Sequence, residues 1–102
     1  MSATDLYAVV VFFEVRPESR DAFRKAILEN AAASLRDEPG CETFDVCEDP
    51  ATGEFCLYEL YDSPKAFQDH LATAHFRAFD ALCRDWVTSK RVLKYHRLVN
   101  SA

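Results

Sequence analysis

The run LYAVVVFFEV at positions 6–15 limits the fold more than any other stretch of the chain. It is rich in β-branched and aromatic residues, and both of its alternating sets of positions are apolar. It therefore reads as a strand covered on both faces. One set is Tyr7, Val9, Val11 and Phe13; the other is Leu6, Ala8, Val10 and Phe12. A chain of 102 residues makes one domain, 1–102, with a modest core. Helices in so small a domain can cover one face of a sheet, and something else must cover the second.

The remaining punctuation places the other elements. Arg16-Pro17-Glu18 opens a helix, with proline in the first turn. Phe23, Ala26, Ile27, Asn30, Ala31 and Ser34 share its inner face. Pro39-Gly40 stops it near Asp37. CETFDVCED (41–49) and EFCLYELYD (54–62) read as strands joined in a hairpin by the turn Pro50-Ala51-Thr52-Gly53. Ser63 is the expected N-cap of a second helix, with Phe67, His70, Leu71 and Ala74 inward. A further helical segment runs from about His75 to Trp86, with Phe76, Phe79, Leu82, Cys83 and Trp86 inward. KRVLKYHRLV (90–99) is the last strand.

The order β-α-β-β-α-β is the ferredoxin-like pattern of the α+β class, an antiparallel sheet with helices on one face. Right-handed crossovers place the first and third strands in the centre. The apolar second face then calls for a partner, and a two-fold homodimer with sheets face to face is the simplest cover.

Several functions are excluded by composition. The net charge is −5 and no basic patch is large enough for nucleic acid. The apolar run is too short to span a membrane, and MSATDLY lacks the basic start of a secretory signal. A cytoplasmic location follows as the expectation. Cys41, Cys47, Cys56 and Cys83 form no CxxC pair, which argues against zinc, and the cytoplasmic location argues against disulfides. All four are expected to be small buried hydrophobes.

Polar residues among apolar neighbours mark the candidate site. Asn30 either bonds nearby backbone or contacts a ligand, whereas Ser34 is expected to bond backbone. Glu59 alternates with Leu57 and Tyr61 on a central strand, where a carboxylate needs a partner. Arg91, Arg97 or a tyrosine could serve, or Glu59 is an acid or base with a raised pKa. His70 and His75 are five apart, so on one continuous helix they diverge by about 140°. No third ligand is evident, since the nearby acids read as solvated, and no metal is expected. His70 falls on the inward face, and His75 is expected to cap or orient the helix junction.

With these residues in place, ILENAAASLRDEPGCETFDV (27–46), FCLYELYDSPKAFQDHLATAHFRAF (55–79) and the terminal strand resemble the antibiotic biosynthesis monooxygenase family. The resemblance runs from about residue 6 to 98. It implies a dimeric α+β barrel of ferredoxin-like subunits, each with a pocket between helices and sheet for a small-molecule substrate. Many members are cofactor-free monooxygenases of quinols or phenols, in which the deprotonated substrate itself reduces O2. By that resemblance His70 is the base or proton shuttle, Asn30 orients the ring oxygen, and Glu59 polarises His70 or holds a tyrosine. Ser34, Phe76, Trp86 and Tyr61 are the candidate substrate contacts, with Phe76 and Trp86 also fitting a core role. The Asn30–Ser34 spacing is also similar to enzymes that isomerise the phosphorylated autoinducer-2 signal, for which Arg24, Lys25 or Lys65 would have to meet a phosphate. A non-catalytic dimer that binds a small ligand is the third alternative. Haem-degrading members carry a pocket tryptophan where this chain has His70 and a haem-ligand histidine where it has Asp80, so it departs from that branch at both positions.

Overall fold

A computed structural model describes residues 6–98. Strand β1 spans Tyr7–Val15. A 3-10 turn at Pro17–Ser19 leads into helix α1, Arg20–Asp37. Strands β2 (Cys41–Glu48) and β3 (Phe55–Tyr61) form the hairpin. Helices α2 (Pro64–Leu71) and α3 (Ala74–Cys83) follow, and β4 is Val87–His96. The sheet order is β2-β3-β1-β4, antiparallel throughout, so β1 and β3 are central as the crossover rule requires. This is the βαββαβ ferredoxin-like architecture.

The inner stripe of α1 matches its 3.6-residue spacing: its buried residues are the six named above, Phe23 through Ser34. They pack onto the helix-side face of the sheet. Phe23 is fully buried and stands at the centre of an aromatic cluster, with ring centroids 5.0 Å from Phe13, 4.7 Å from Phe55 and 5.7 Å from Phe79. A bulge between Cys41 and Thr43 turns Cys41 and Phe44 both toward the helices, which simple alternation does not allow.

Two glycines are set by their surroundings. Gly53 takes φ +77° in the hairpin turn, and the Arg20 guanidinium covers it while donating to the Thr52 carbonyl at 2.7 Å. Gly40 begins the chain's return after α1, and a Cβ there would lie 2.6 Å from the Ala66 Cβ of α2. Its carbonyl accepts from the Asp62 N–H at 2.9 Å. The connection after α1 and the first turn of α2 are thereby held in direct contact.

The second helical region differs from expectation. Ser63 does cap α2, accepting from the Ala66 N–H at 3.1 Å. The helix then closes at Leu71, and a new one starts at Ala74. Thr73 makes this junction, because its hydroxyl donates to the His70 carbonyl at 2.7 Å and accepts from the Phe76 N–H at 3.2 Å. Ala74 is consequently exposed, and Leu82 is 56% exposed rather than inward. Strand β4 starts at Val87, before the expected Lys90, because pairing with Val15 begins there. The expected final residue, Val99, lies outside the described residues. Cys41 and Cys83 are buried free thiols; Cys47 is exposed and Cys56 half-buried, since both fall on the face without helices. On that face Val10, Phe12, Cys56 and Leu93 are partly accessible, and Tyr95 is 53% exposed.

Candidate functional site

A cavity of about 310 Å³ lies between sheet and helices, with lining residues from every strand and every helix. Val11, Phe13, Phe44, Leu57, Phe67 and Phe76 make it apolar and aromatic. Three buried polar side chains face it, Asn30 from α1, Glu59 from β3 and His70 from α2. These are the three inward polar residues singled out in the sequence, and the structure brings them to one cavity.

The ring of His70 is packed by aromatics, 5.5 Å from Tyr61, 5.9 Å from Phe44 and 5.1 Å from Phe76. Its Nδ1 meets Glu38, at 2.8 Å from Oε2 and 3.1 Å from Oε1. Burial lowers the His70 pKa, and the Glu38 carboxylate opposes that only in part. The neutral ring therefore donates its Nδ1–H to Glu38. Among the described residues, Nε2 is then the His70 nitrogen that no protein group engages. A carboxylate on one imidazole nitrogen fixes the tautomer in which the other carries a lone pair.

Glu38 also bonds His75, whose Nε2 lies 2.5 Å from Oε2. The divergence expected for a continuous helix fails because Thr73 breaks the helix between the two histidines, and both rings turn to one carboxylate. His75 does not cap the junction; Thr73 does. Ser34 Oγ donates to the Asn30 carbonyl at 2.8 Å and lies 3.3 Å from His75 Nε2. Glu38 is not solvated, with its side chain 10% exposed, so a third potential ligand does stand beside the histidines. The ligand atoms of Glu38, His70 and His75 lie within 4.8 Å of one another, and among the described residues this is the group that could hold a cation. As it stands the group is a hydrogen-bonded His–Glu–His cluster.

Asn30 is 4% exposed, and its Oδ1 has no protein donor. An unpaired buried acceptor costs about 1–3 kcal/mol, which a hydroxyl donor on a ligand would offset. Glu59 is paired with a tyrosine rather than an arginine: Tyr61 donates to its Oε1 at 2.5 Å. Arg91 lies over Phe12 on the opposite face. Burial raises the Glu59 pKa to about 7, against the lowering effects of Tyr61 and Lys90. The Tyr61 hydroxyl is raised in turn, by burial first and by the Glu59 charge second.

Glu59 makes stability depend on pH. With a folded pKa of about 7 against an ordinary 4.5, the native state keeps a proton that the unfolded chain releases. That stabilisation is complete below pH 4.5 and is lost as pH rises through 7. Glu59→Gln stays neutral at every pH, so its stability relative to the parent should improve by about 3 kcal/mol between pH 4.5 and 8. Urea midpoints at the two pH values measure this, and a gap independent of pH would rule out a buried, protonated Glu59.

Of the candidate substrate contacts, Phe76 lines the cavity. Tyr61 stands behind Glu59, Ser34 sits beside His75, and Trp86 packs half-buried against the core. None of the candidate phosphate ligands lines it. Arg24 makes a bidentate pair with Glu48, both bonds 2.8 Å, Lys65 pairs with Asp69 at 3.1 Å, and Lys25 is exposed. Sequence reasoning missed Glu38 as the partner of His70, and it missed Lys90 and Lys94, which line the cavity from β4.

The sequence pattern described as antibiotic biosynthesis monooxygenase matches residues 6–82. The chain is 33% identical over 85 residues to "Putative monooxygenase Rv0793" of Mycobacterium tuberculosis, covering 83% of each protein. The solved structure of that protein superposes with a TM-score of 0.86 over 95% of this chain and 99% of its own, at 28% identity. A "Putative antibiotic biosynthesis monooxygenase from Nitrosomonas europaea" gives 0.90 over 100% of this chain and 99% of its own, at 27% identity. A "Putative antibiotic biosynthesis monooxygenase" of Bacteroides thetaiotaomicron gives 0.91 over 99% of this chain and 97% of its own, and at 20% identity that shows the fold alone. The sequence pattern and the relative identify the family and the architecture agrees with them: the chain belongs to the antibiotic biosynthesis monooxygenase family.

Proposed function

We propose that the protein is a cofactor-independent monooxygenase that oxidises a quinol-like or phenolic aromatic with O2. The observation that carries this reading is the pairing of His70 with Glu38 at the edge of an aromatic-lined cavity. It leaves Nε2 available to take a phenolic proton. Asn30 Oδ1 accepts a hydrogen bond from a ring hydroxyl and sets the ring's orientation. The resulting electron-rich anion transfers electrons to O2 directly. For a quinol with a free ring position the balance closes: quinol and O2 give a hydroxyquinone and water, the substrate supplying all four electrons. Glu59, mostly protonated below pH 7, can donate to an oxygen that gains charge during the reaction.

The test is oxygen uptake by the purified, metal-stripped protein with hydroquinones and naphthols, with autoxidation subtracted. Under labelled O2 the product should carry one labelled oxygen atom for each O2 consumed. Uptake at the background rate, or a product without the label, would overturn the reading in favour of an isomerase or a binding protein.

The same reading includes a homodimer. The sheet face away from the helices presents Val10, Phe12, Leu93 and Tyr95, a continuous apolar surface of the kind subunits cover. Light scattering at micromolar concentration should give twice the mass of the chain; a stable monomer would remove this part. Four free thiols suit a reducing compartment, and a cytoplasmic location belongs to the proposal. No helix among the described residues is long and apolar enough to cross a membrane.

A further inference from the structure

The cavity is apolar in the middle and charged unequally at its two ends. Across the sheet, Phe44, Glu59, Val9 and Lys94 stand in one row of register partners, and Phe13 faces Lys90 in another. His70 lies over the β2–β3 end, beside Phe44 and Tyr61. Lys90, Val92 and Lys94 form the opposite wall on β4. With strands about 4.8 Å apart, roughly 10–14 Å separates the two ends.

Lysines on an edge strand commonly block unwanted pairing by pointing into solvent. These two, though exposed, also lie over rings that line the cavity. Lys90 Nζ is 5.6 Å from the Phe13 centroid and 5.9 Å from that of Phe76, and Lys94 Nζ is 5.7 Å from that of Phe67. Neither ammonium is in an ion pair among the described residues, whereas Lys65 and Arg24 are. Glu59 is the one carboxylate on the cavity lining. A chain with net charge −5 thus places two cations that are in no ion pair among the described residues at one end of this apolar cleft.

We infer that the substrate is an aromatic carrying an anionic substituent, a carboxylate, sulfonate or phosphate, which Lys90 and Lys94 hold at the β4 end. Its phenolic oxygen then meets His70 and Asn30 at the other. The phenolic half rests on the monooxygenase reading; the anionic half rests on the lysines alone. Ammonium groups make charge-assisted contacts with an anion, and the local positive field draws anions against the overall charge of the protein. The substituent also fixes which end of the ring system enters first, so that one defined hydroxyl reaches Nε2.

The experiment is anaerobic calorimetry with 2-naphthol and 6-hydroxy-2-naphthoate, which differ by one carboxylate across the ring system from the hydroxyl. The naphthoate should bind about tenfold tighter or more at low salt, and its advantage should shrink as ionic strength rises. The Lys90→Gln/Lys94→Gln double variant should bind the two compounds alike. Equal affinities in the parent protein, a preference that survives the double substitution, or no binding of either naphthol would each overturn the inference. Inorganic phosphate is the third probe. If it binds as tightly as the naphthoate, the anion alone is recognised and the aromatic half falls. Binding is read without O2, so a protein that prefers the naphthoate but consumes no oxygen would sink the monooxygenase reading and leave the anion subsite standing.

Discussion

His70→Ala should lower protein-dependent oxygen uptake by about 10²–10⁴-fold with a substrate that the parent oxidises, the range set by loss of a positioned general base. The argument is geometric. Nδ1 is committed to Glu38 at 2.8 Å, so the lone pair is on Nε2, on a ring wedged among Phe44, Tyr61 and Phe76. Among the described residues no other imidazole with a free nitrogen faces the cavity, because His75 is turned onto Glu38, and Glu59 is mostly protonated below pH 7. The alanine leaves an imidazole-sized gap, and added imidazole should restore part of the rate. A structural histidine would lose stability without that rescue. Far-ultraviolet circular dichroism should stay native. Full activity in the variant would remove His70 from the chemistry.

Phe23→Ala should cost about 3–5 kcal/mol of stability, the range for emptying a large aromatic site in a core. Phe23 is fully buried and touches rings from β1, β3 and α3, so no single element can move in to fill the space. A small domain holds only about 5–15 kcal/mol in total, so the variant should be close to unfolding at physiological temperature. Urea denaturation measures the loss directly. A loss below about 1.5 kcal/mol would mean that the cluster is loosely packed and that the core is centred elsewhere.

The sequence was legible where periodicity governs. All six inward positions of α1 followed from 3.6-residue spacing, and Asn30 and Ser34 stood out because they are polar on an apolar stripe. Strand centrality followed from crossover handedness. Glu38 was illegible because it falls just past the end of α1, where no period predicts direction; a buried acid before Pro39-Gly40 carries no distinguishing local signal. A junction near His75 was legible but its cap was not, because Leu-Ala-Thr-Ala holds neither glycine nor proline and it is the Thr73 hydroxyl that makes the break. With the cap assigned to His75 instead of Thr73, the turn of the His75 ring onto Glu38 does not follow from the sequence. Lys90 and Lys94 looked like ordinary strand-edge charges, since alternation in KRVLKY says which residues share a face but not which face meets a cavity.

Gly40 gives the site a dependence on a residue with no chemistry of its own. The missing side chain lets the segment bearing Glu38 lie against the first turn of α2, whose next turn bears His70. Any larger residue wedges these two segments apart at Ala66, one helical turn from the imidazole. The strain would be relieved where the segments are joined only by hydrogen bonds, and the Glu38–His70 contact is such a place. The tautomer of the base, and with it the direction in which a proton can leave a bound ring, therefore depends partly on Gly40 leaving its place to the Ala66 methyl group.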